Sequence, residues 1–407
     1  MPVVLLIGTL DTKGQEYAYV RDQIRAAGHD TIVMDVGILG EPVFAPDIAA
    51  ADVARAGGGD LDALRARDDR GAAIEVMQRG ACALVQTLFA DGRFDGVAGL
   101  GGGGGTAMIA AAMRTLPVGV PKLIVSTMAS GNTAPYVGVK DLTLMSSVVD
   151  IAGLNPLSRL ILANAAAAVA GMVAGGRRGR IGPVAQGRPL VAATMFGVTT
   201  PAVTAIRDRL EGAGFDVIVF HATGTGGRAM EGLVDDGFFA GVADVTTTEW
   251  CDEVVGGVLS AGPDRLGAAA RAGIPQVVSV GALDMVNFGP IETVPERFRE
   301  RTLYRHNDAV TLMRTTPEEC EEIARRIASQ LNRGAGPVVV VLPRRGVSAI
   351  DAVGKPFHDP DADRALFDTL RASLTPAIRV VEVDAHINDA AFAEVVSAEL
   401  LAMLEKR

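Results

Sequence analysis

Apolar residues occur as short unbroken runs separated by stretches of helical period, and this alternation persists along almost the whole chain. The first half predicts a strand over Val3–Gly8, a helix over Gln15–Ala27 that stops at Gly28, and a strand over Thr31–Val36. A long helical stretch follows over Asp60–Asp91, broken near Gly80, then a strand over Gly96–Leu100 and a helix over Thr106–Thr115. Strands over Lys122–Ser126 and Leu142–Val149 come next. Asn155-Pro156 opens a further helix, a capping side chain followed by proline in the first turn.

Residues 175–187 are dense in Gly, Arg and Pro and lack apolar periodicity, which marks a domain boundary. The alternation then restarts. Strands are expected at Leu190–Met195, Val217–Phe220, Val242–Val245, Gln276–Val280, Val310–Met313, Val338–Leu342 and Arg379–Val383. Helices fit Pro201–Glu211, Arg228–Asp235, Pro317–Asn332, Asp361–Ser373 and Ala390–Leu404. Runs of Val, Ile and Leu without polar alternation describe strands buried on both faces, hence parallel sheets between helices. The expected fold is α/β, two tandem doubly wound (Rossmann-like) parallel-sheet domains at 1–176 and 188–407, joined by a linker at 177–187.

Composition narrows the function. At 407 residues the chain is long enough for two domains, and 49% hydrophobic residues assure large cores. The net charge of -10 and the lack of a basic patch beyond Arg177-Arg178-Gly179-Arg180 argue against nucleic acid as a partner. Three cysteines without paired spacing, and a strand-like run directly after Met1-Pro2, lead to the expectation of a reduced, cytoplasmic compartment. The apolar stretch Leu157–Ala174 is interrupted by Arg159 and Asn164 and reads as a buried helix, so no membrane partner is expected.

In an open parallel sheet, ligands sit beyond the carboxyl ends of the strands. The first strand ends in a loop holding Thr9, Asp11, Thr12 and Lys13, which offers hydroxyls and charge to an anion or simply caps the next helix. The third ends in Gly101, Gly102, Gly103, Gly104 and Gly105, then Thr106. Five glycines at a helix start expose backbone N–H groups to an anion favoured by the helix dipole, and they are costly to order for a mere turn. The fourth ends in a small, hydroxylic segment with Ser130, Gly131, Asn132 and Thr133. The glycine run contains a G-x-G-x-x-G match. The next strand, however, ends Val125-Ser126-Thr127 without the acid an NAD ribose requires, so NAD is disfavoured, and no P-loop lysine is present.

The second half carries a similar loop, Thr223, Gly224, Thr225, Gly226 and Gly227, directly after His221. His221, Glu249, Asp284 and His306 follow or adjoin expected strands and are candidates for acid–base work, or are caps and a satisfied imidazole. His29, His358 and His386 read as incidental, and no His-x-x-x-His or Cys-x-x-Cys spacing points to a metal.

The stretches GTLDTKG (Gly8–Gly14), GLGGGGGT (Gly99–Thr106), STMASGNT (Ser126–Thr133), HATGTGGRAME (His221–Glu231) and GALDMVNFG (Gly281–Gly289) together resemble an ATP-binding-domain family. That family includes the N-terminal inhibitory region of the tomato mosaic virus resistance protein. The resemblance implies two Rossmann-like domains, a homodimer, and ATP in the N-terminal domain. Mg²⁺ is expected with the nucleotide because ATP carries it. The leading expectation is an ATP-binding protein, possible use of ATP being on a small metabolite in a cleft between domains. Two alternatives stand beside it. One is a metabolic enzyme acting on a phosphorylated or carboxylated substrate without ATP turnover; the other is a non-catalytic nucleotide-binding sensor.

Overall fold

The computed structural model describes residues 1–67, 69–176, 187–334 and 336–406. The chain divides into two compact units, Met1–Ile181 and Gly182–Arg407. Most of the expected linker, residues 177–186, lies outside the described residues.

The N-terminal unit runs β1 (Val3–Gly8), α1 (Leu10–Ala26), β2 (Asp30–Asp35), α2 (Ala50–Ala56), α3 (Leu61–Ala66), α4 (Arg70–Ala90) and β3 (Gly96–Gly101). It continues with α5 (Gly103–Arg114), β4 (Lys122–Ser126), α6 (Ala134–Val137), β5 (Thr143–Ser146) and α7 (Pro156–Gly176). The five strands pair in the order β2-β1-β3-β4-β5, all parallel. One apolar layer, including Leu5, Ile7, Val97 and Ile109, lies on one sheet face; another, including Leu6, Tyr17, Leu123 and Val169, lies on the other.

Two expectations change. The stretch Asp60–Asp91 holds two helices, α3 and α4, each capped by an aspartate, Asp60 on Ala63 N–H and Asp69 on Ala72 N–H. Gly80 does not break α4. A Cβ there would lie 1.9 Å from the Val53 carbonyl oxygen, so glycine lets α2 cross at close range. The Asn155 cap is present: its Oδ1 accepts the N–H groups of Leu157 and Ser158. The helix it opens, α7, is the one helix among the described residues long and apolar enough to cross a membrane by length and composition. Its Leu162, Ala165, Ala166, Val169 and Val173 are buried in the second apolar layer.

The C-terminal unit runs β6 (Leu190–Met195), α8 (Thr200–Gly212), β7 (Asp216–His221), α9 (Thr225–Asp235), β8 (Gly241–Thr246), α10 (Glu249–Val255), α11 (Ala268–Ala272) and β9 (Gln276–Gly281). Then come β10 (Met285–Phe288), β11 (Leu303–Asn307), β12 (Val310–Arg314), α12 (Pro317–Asn332), β13 (Val338–Pro343), α13 (Pro360–Ser373), β14 (Arg379–Val383) and α14 (Ala390–Leu404). The main sheet is parallel, in the order β14-β13-β9-β8-β6-β7. The strand expected at Val310–Met313 belongs elsewhere. It is the centre of a small antiparallel sheet, β10-β12-β11, whose other strands are short and were not legible as such. Both units are therefore doubly wound, Rossmann-like α/β folds.

Candidate functional site

The strand order β2-β1-β3-β4-β5 puts the topological switch point of the N-terminal unit between β1 and β3, where crevices open in such sheets. The chain leaving β1 enters α1, and the chain leaving β3 enters α5, so two helix N-termini adjoin there. β4 pairs β3 up to Gly101↔Ser126, which brings the third loop alongside.

The glycine run divides by its surroundings. Gly101 is forced by packing, since a Cβ there would lie 2.6 Å from the Thr106 nitrogen. At Gly102, Gly103, Gly104 and Gly105 the nearest atoms to a built Cβ are 3.8–3.9 Å away, and none of these residues has positive φ. Neither sterics nor backbone conformation requires glycine at these four positions. Gly103 and Gly104 are exposed. The helical bonding of α5 begins with Thr106 N–H to the Gly102 carbonyl at 2.8 Å, and no side chain caps the turn among the described residues. The first-turn amides thus have no side-chain acceptor among the described residues. Thr106 itself is buried, its hydroxyl 2.7 Å from that of Ser126, so it braces the loop rather than facing a ligand.

The first loop is not a loop: α1 begins at Leu10, and Asp11, Thr12 and Lys13 form its first turn, distorted at Lys13 (φ -130, ψ 21). The hydroxyls of Thr9 and Thr12 meet at 2.8 Å. Asp11 Oδ2 accepts the N–H groups of Leu39 and Gly40, holding the segment after β2. Lys13 donates its ammonium to the Ile151 carbonyl at 2.6 Å. In the third loop Asn132 Oδ1 accepts the Ala134 N–H and Gly131 N–H bonds the Met128 carbonyl, while Ser130 is exposed and Thr133 half-buried.

Two residues of this site escape a reading of sequence. Asp35 stands buried at the carboxyl end of β2. Its Oδ1 accepts the N–H groups of Leu10 and Gly37, and burial raises its pKa, so it ties β2 to α1 from within. Tyr17 is buried under the switch point and bonds both β1 and β3. Its one legible signal is the residue it displaces: Gly8, where a Cβ would lie 1.9 Å from the Tyr17 ring.

The C-terminal loop is occupied by the chain itself. Glu249 Oε1 accepts the N–H of Gly224 at 2.7 Å and of Gly227 at 3.0 Å. Gly224 has φ +75, and Cβ atoms on Gly226 and Gly227 would lie 1.9 Å from the His221 carbonyl oxygen and 2.2 Å from Glu249 Oε2. Thr223 and Thr225 complete the turn with bonds to the carbonyls of His221 and Thr223. The anion that this glycine loop cradles is therefore an internal carboxylate. Glu249 is held in turn by Arg265, a fully buried guanidinium that also makes paired bonds of 2.6 Å to Asp244 and a 3.0 Å contact with Glu231.

The expected acid–base cluster does not assemble. His221 is exposed on edge strand β7 with its ring against Phe196, at 5.4 Å between centroids. His306 is exposed on β11. Asp284 is buried, accepts the Ser348 hydroxyl at 2.7 Å, and neighbours Asp351 and Arg314. His306 stands on the small antiparallel sheet, whereas His221, Glu249 and Asp284 lie at or just beyond the ends of three different strands of the main sheet.

Burial of carboxyls in this unit has a pH consequence. Burial pushes Asp252 up to about 7, against the N–H and side-chain donors of Asn287 that pull it down. A folded-state pKa above the unfolded 3.8 means that the folded chain holds this proton more tightly. Its stabilising contribution is complete below about pH 4 and is lost as the pH rises towards 7. Unfolding of the C-terminal unit should thus become easier between pH 4 and 7, with a shallower slope in Asp252→Asn. Denaturant titrations across that range check this, and an unchanged slope in the variant refutes the assignment.

Among the described residues no group of three or more His, Cys, Asp or Glu side chains is arranged to hold a metal ion. The solved structure of a Streptomyces glycosyltransferase complexed with thymidine diphosphate aligns over 99% of this chain and 96% of its own, at 15% identity and a TM-score of 0.18. A UPF0261 protein of Clostridium tetani is 52% identical over 404 residues, covering 99% of each chain. The ToMV resistance protein Tm-1 of Solanum lycopersicum is 42% identical over 412 residues, 96% of this chain; the chain spans about half, 54%, of that plant protein. Residues 2–178 match the model of the uncharacterised protein family (UPF0261) N-terminal domain, and residues 188–404 that of its C-terminal domain. With both models matched along nearly its full length, the chain belongs to the UPF0261 family.

Proposed function

We propose that the N-terminal unit binds a nucleotide, ATP foremost, with its phosphates on the first turn of α5. The observation that carries this reading is the set Gly102–Gly105, four glycines with neither a packing contact nor a positive φ to require them, at an uncapped helix start on the switch point. Glycine at such positions leaves backbone amides accessible to a close-approaching anion, and the helix dipole adds to the attraction. The Thr9 and Thr12 hydroxyls stand at the neighbouring helix start. Mg²⁺ brought by the nucleotide supplies countercharge for the phosphates. The family resemblance of the glycine-bearing stretches supports the same ligand.

ATP or ADP should raise the melting temperature of the full chain, and NAD(H) should not, because the acid at the end of β2 is turned inward onto backbone amides. At ligand a hundredfold above Kd the stabilisation is about 2.7 kcal/mol. Thermal denaturation with each ligand measures it, and an equal or larger shift with NAD overturns the proposal.

A further inference from the structure

Tyr17 stands where β1 and β3 stop pairing. The register of the two strands runs from Val4↔Gly96 to Ile7↔Gly99, and no Gly8↔Leu100 pair follows. At that end the Tyr17 hydroxyl accepts the Leu100 N–H at 2.6 Å and donates to the Ile7 carbonyl at 2.6 Å, with the Leu100 carbonyl 3.0 Å away. A single phenol oxygen thus takes up the polar groups at the ladder's end, which would otherwise compete for partners inside an apolar layer. The ring is fully buried, and burial raises the phenol pKa, so the group stays protonated as both donor and acceptor. Gly8 leaves room for the ring and nothing else: a Cβ would lie 1.9 Å from both Cζ and Oη. Immediately beyond these contacts the chain turns into the first turns of α1 and α5.

We infer that Tyr17 is a positioning residue of the phosphate site: its hydroxyl fixes where β1 and β3 diverge, and so fixes the α5 amides relative to the α1 start. This rests on the nucleotide reading given above. The hydroxyl touches no ligand. It acts through Leu100, two residues before Gly102, on a site whose hydrogen bonds tolerate displacements of only a few tenths of an ångström.

The test is Tyr17→Phe, which keeps the ring in its slot beside Gly8 and removes only the oxygen. Calorimetric titration of the folded wild type and variant with MgATP, and separately with inorganic tripolyphosphate, reads the phosphate site with and without a base. The variant should bind both probes at least tenfold more weakly. A variant with a lower melting temperature but unchanged Kd values makes Tyr17 a purely structural strut and overturns the inference, while the nucleotide reading stands. Failure of the wild type to bind either probe instead removes the nucleotide reading itself. Should the variant not fold, the Leu100 amide resonance of the wild type decides: tripolyphosphate must shift it, and a signal that stays in place at saturation overturns the inference.

Discussion

Replacing Arg265 by methionine should destabilise the C-terminal unit by about 3–5 kcal/mol, the usual cost of leaving buried charges without their partner. Arg265 is 1% exposed and is the common cation for Glu231, Asp244 and Glu249. Methionine fills much of the same volume, so the loss is electrostatic rather than a cavity. The consequences extend to the glycine loop, because Glu249 is the acceptor for Gly224 and Gly227 and would lose the guanidinium that orients it. Acid should partly rescue the variant, since protonation relieves the unpaired carboxylates. Urea denaturation at pH 5 and pH 8 measures both effects. A loss under about 1 kcal/mol would mean that the network contributes little net stability.

Gly103→Val should abolish ATP binding, weakening it by at least about a hundredfold, or roughly 2.7 kcal/mol, while leaving the fold intact. The two halves of that expectation have separate grounds. Gly103 lies in the helical first turn without positive φ, and the nearest atom to a built Cβ is Met128 Sδ at 3.9 Å. Valine is also a slightly better helix former than glycine, so stability should change by less than about 1 kcal/mol. The added side chain projects over the exposed amides and keeps a phosphate from approaching them. Melting temperature and calorimetric affinity, measured on the same preparation, separate the two halves. A folded variant with wild-type affinity would sink the phosphate assignment.

The contrast between the two glycine loops shows what sequence can carry. Gly101–Gly105 and Gly224–Gly227 read alike in the sequence as amide cradles ahead of a helix. The first has no side-chain cap among the described residues; the second already holds Glu249, a residue 22 positions beyond Gly227. Nothing in the spacing of either loop distinguishes them, because the difference is the identity of the nearest anion in space. The acid–base cluster fails for a related reason. His221, Glu249, Asp284 and His306 adjoin strands, but a small antiparallel sheet takes His306 away, and a buried guanidinium claims Glu249.

Local chemistry by itself determined the α/β class, the parallel character of the main sheets, the Asn155 cap and the glycine run at a helix start, since each depends on residues close along the chain. Strand order was decided only by tertiary structure. The neighbours β1 and β3 are separated by the whole of α1 to α4, and their adjacency creates the switch point and delivers Leu100 to Tyr17, 83 positions away. Periodicity reports which face of a segment is buried and is silent about what covers it. Pairings of such long separation are set by the packing of whole layers, and so the partners of Tyr17, Asp35, Glu249 and Arg265 became visible only in the folded chain.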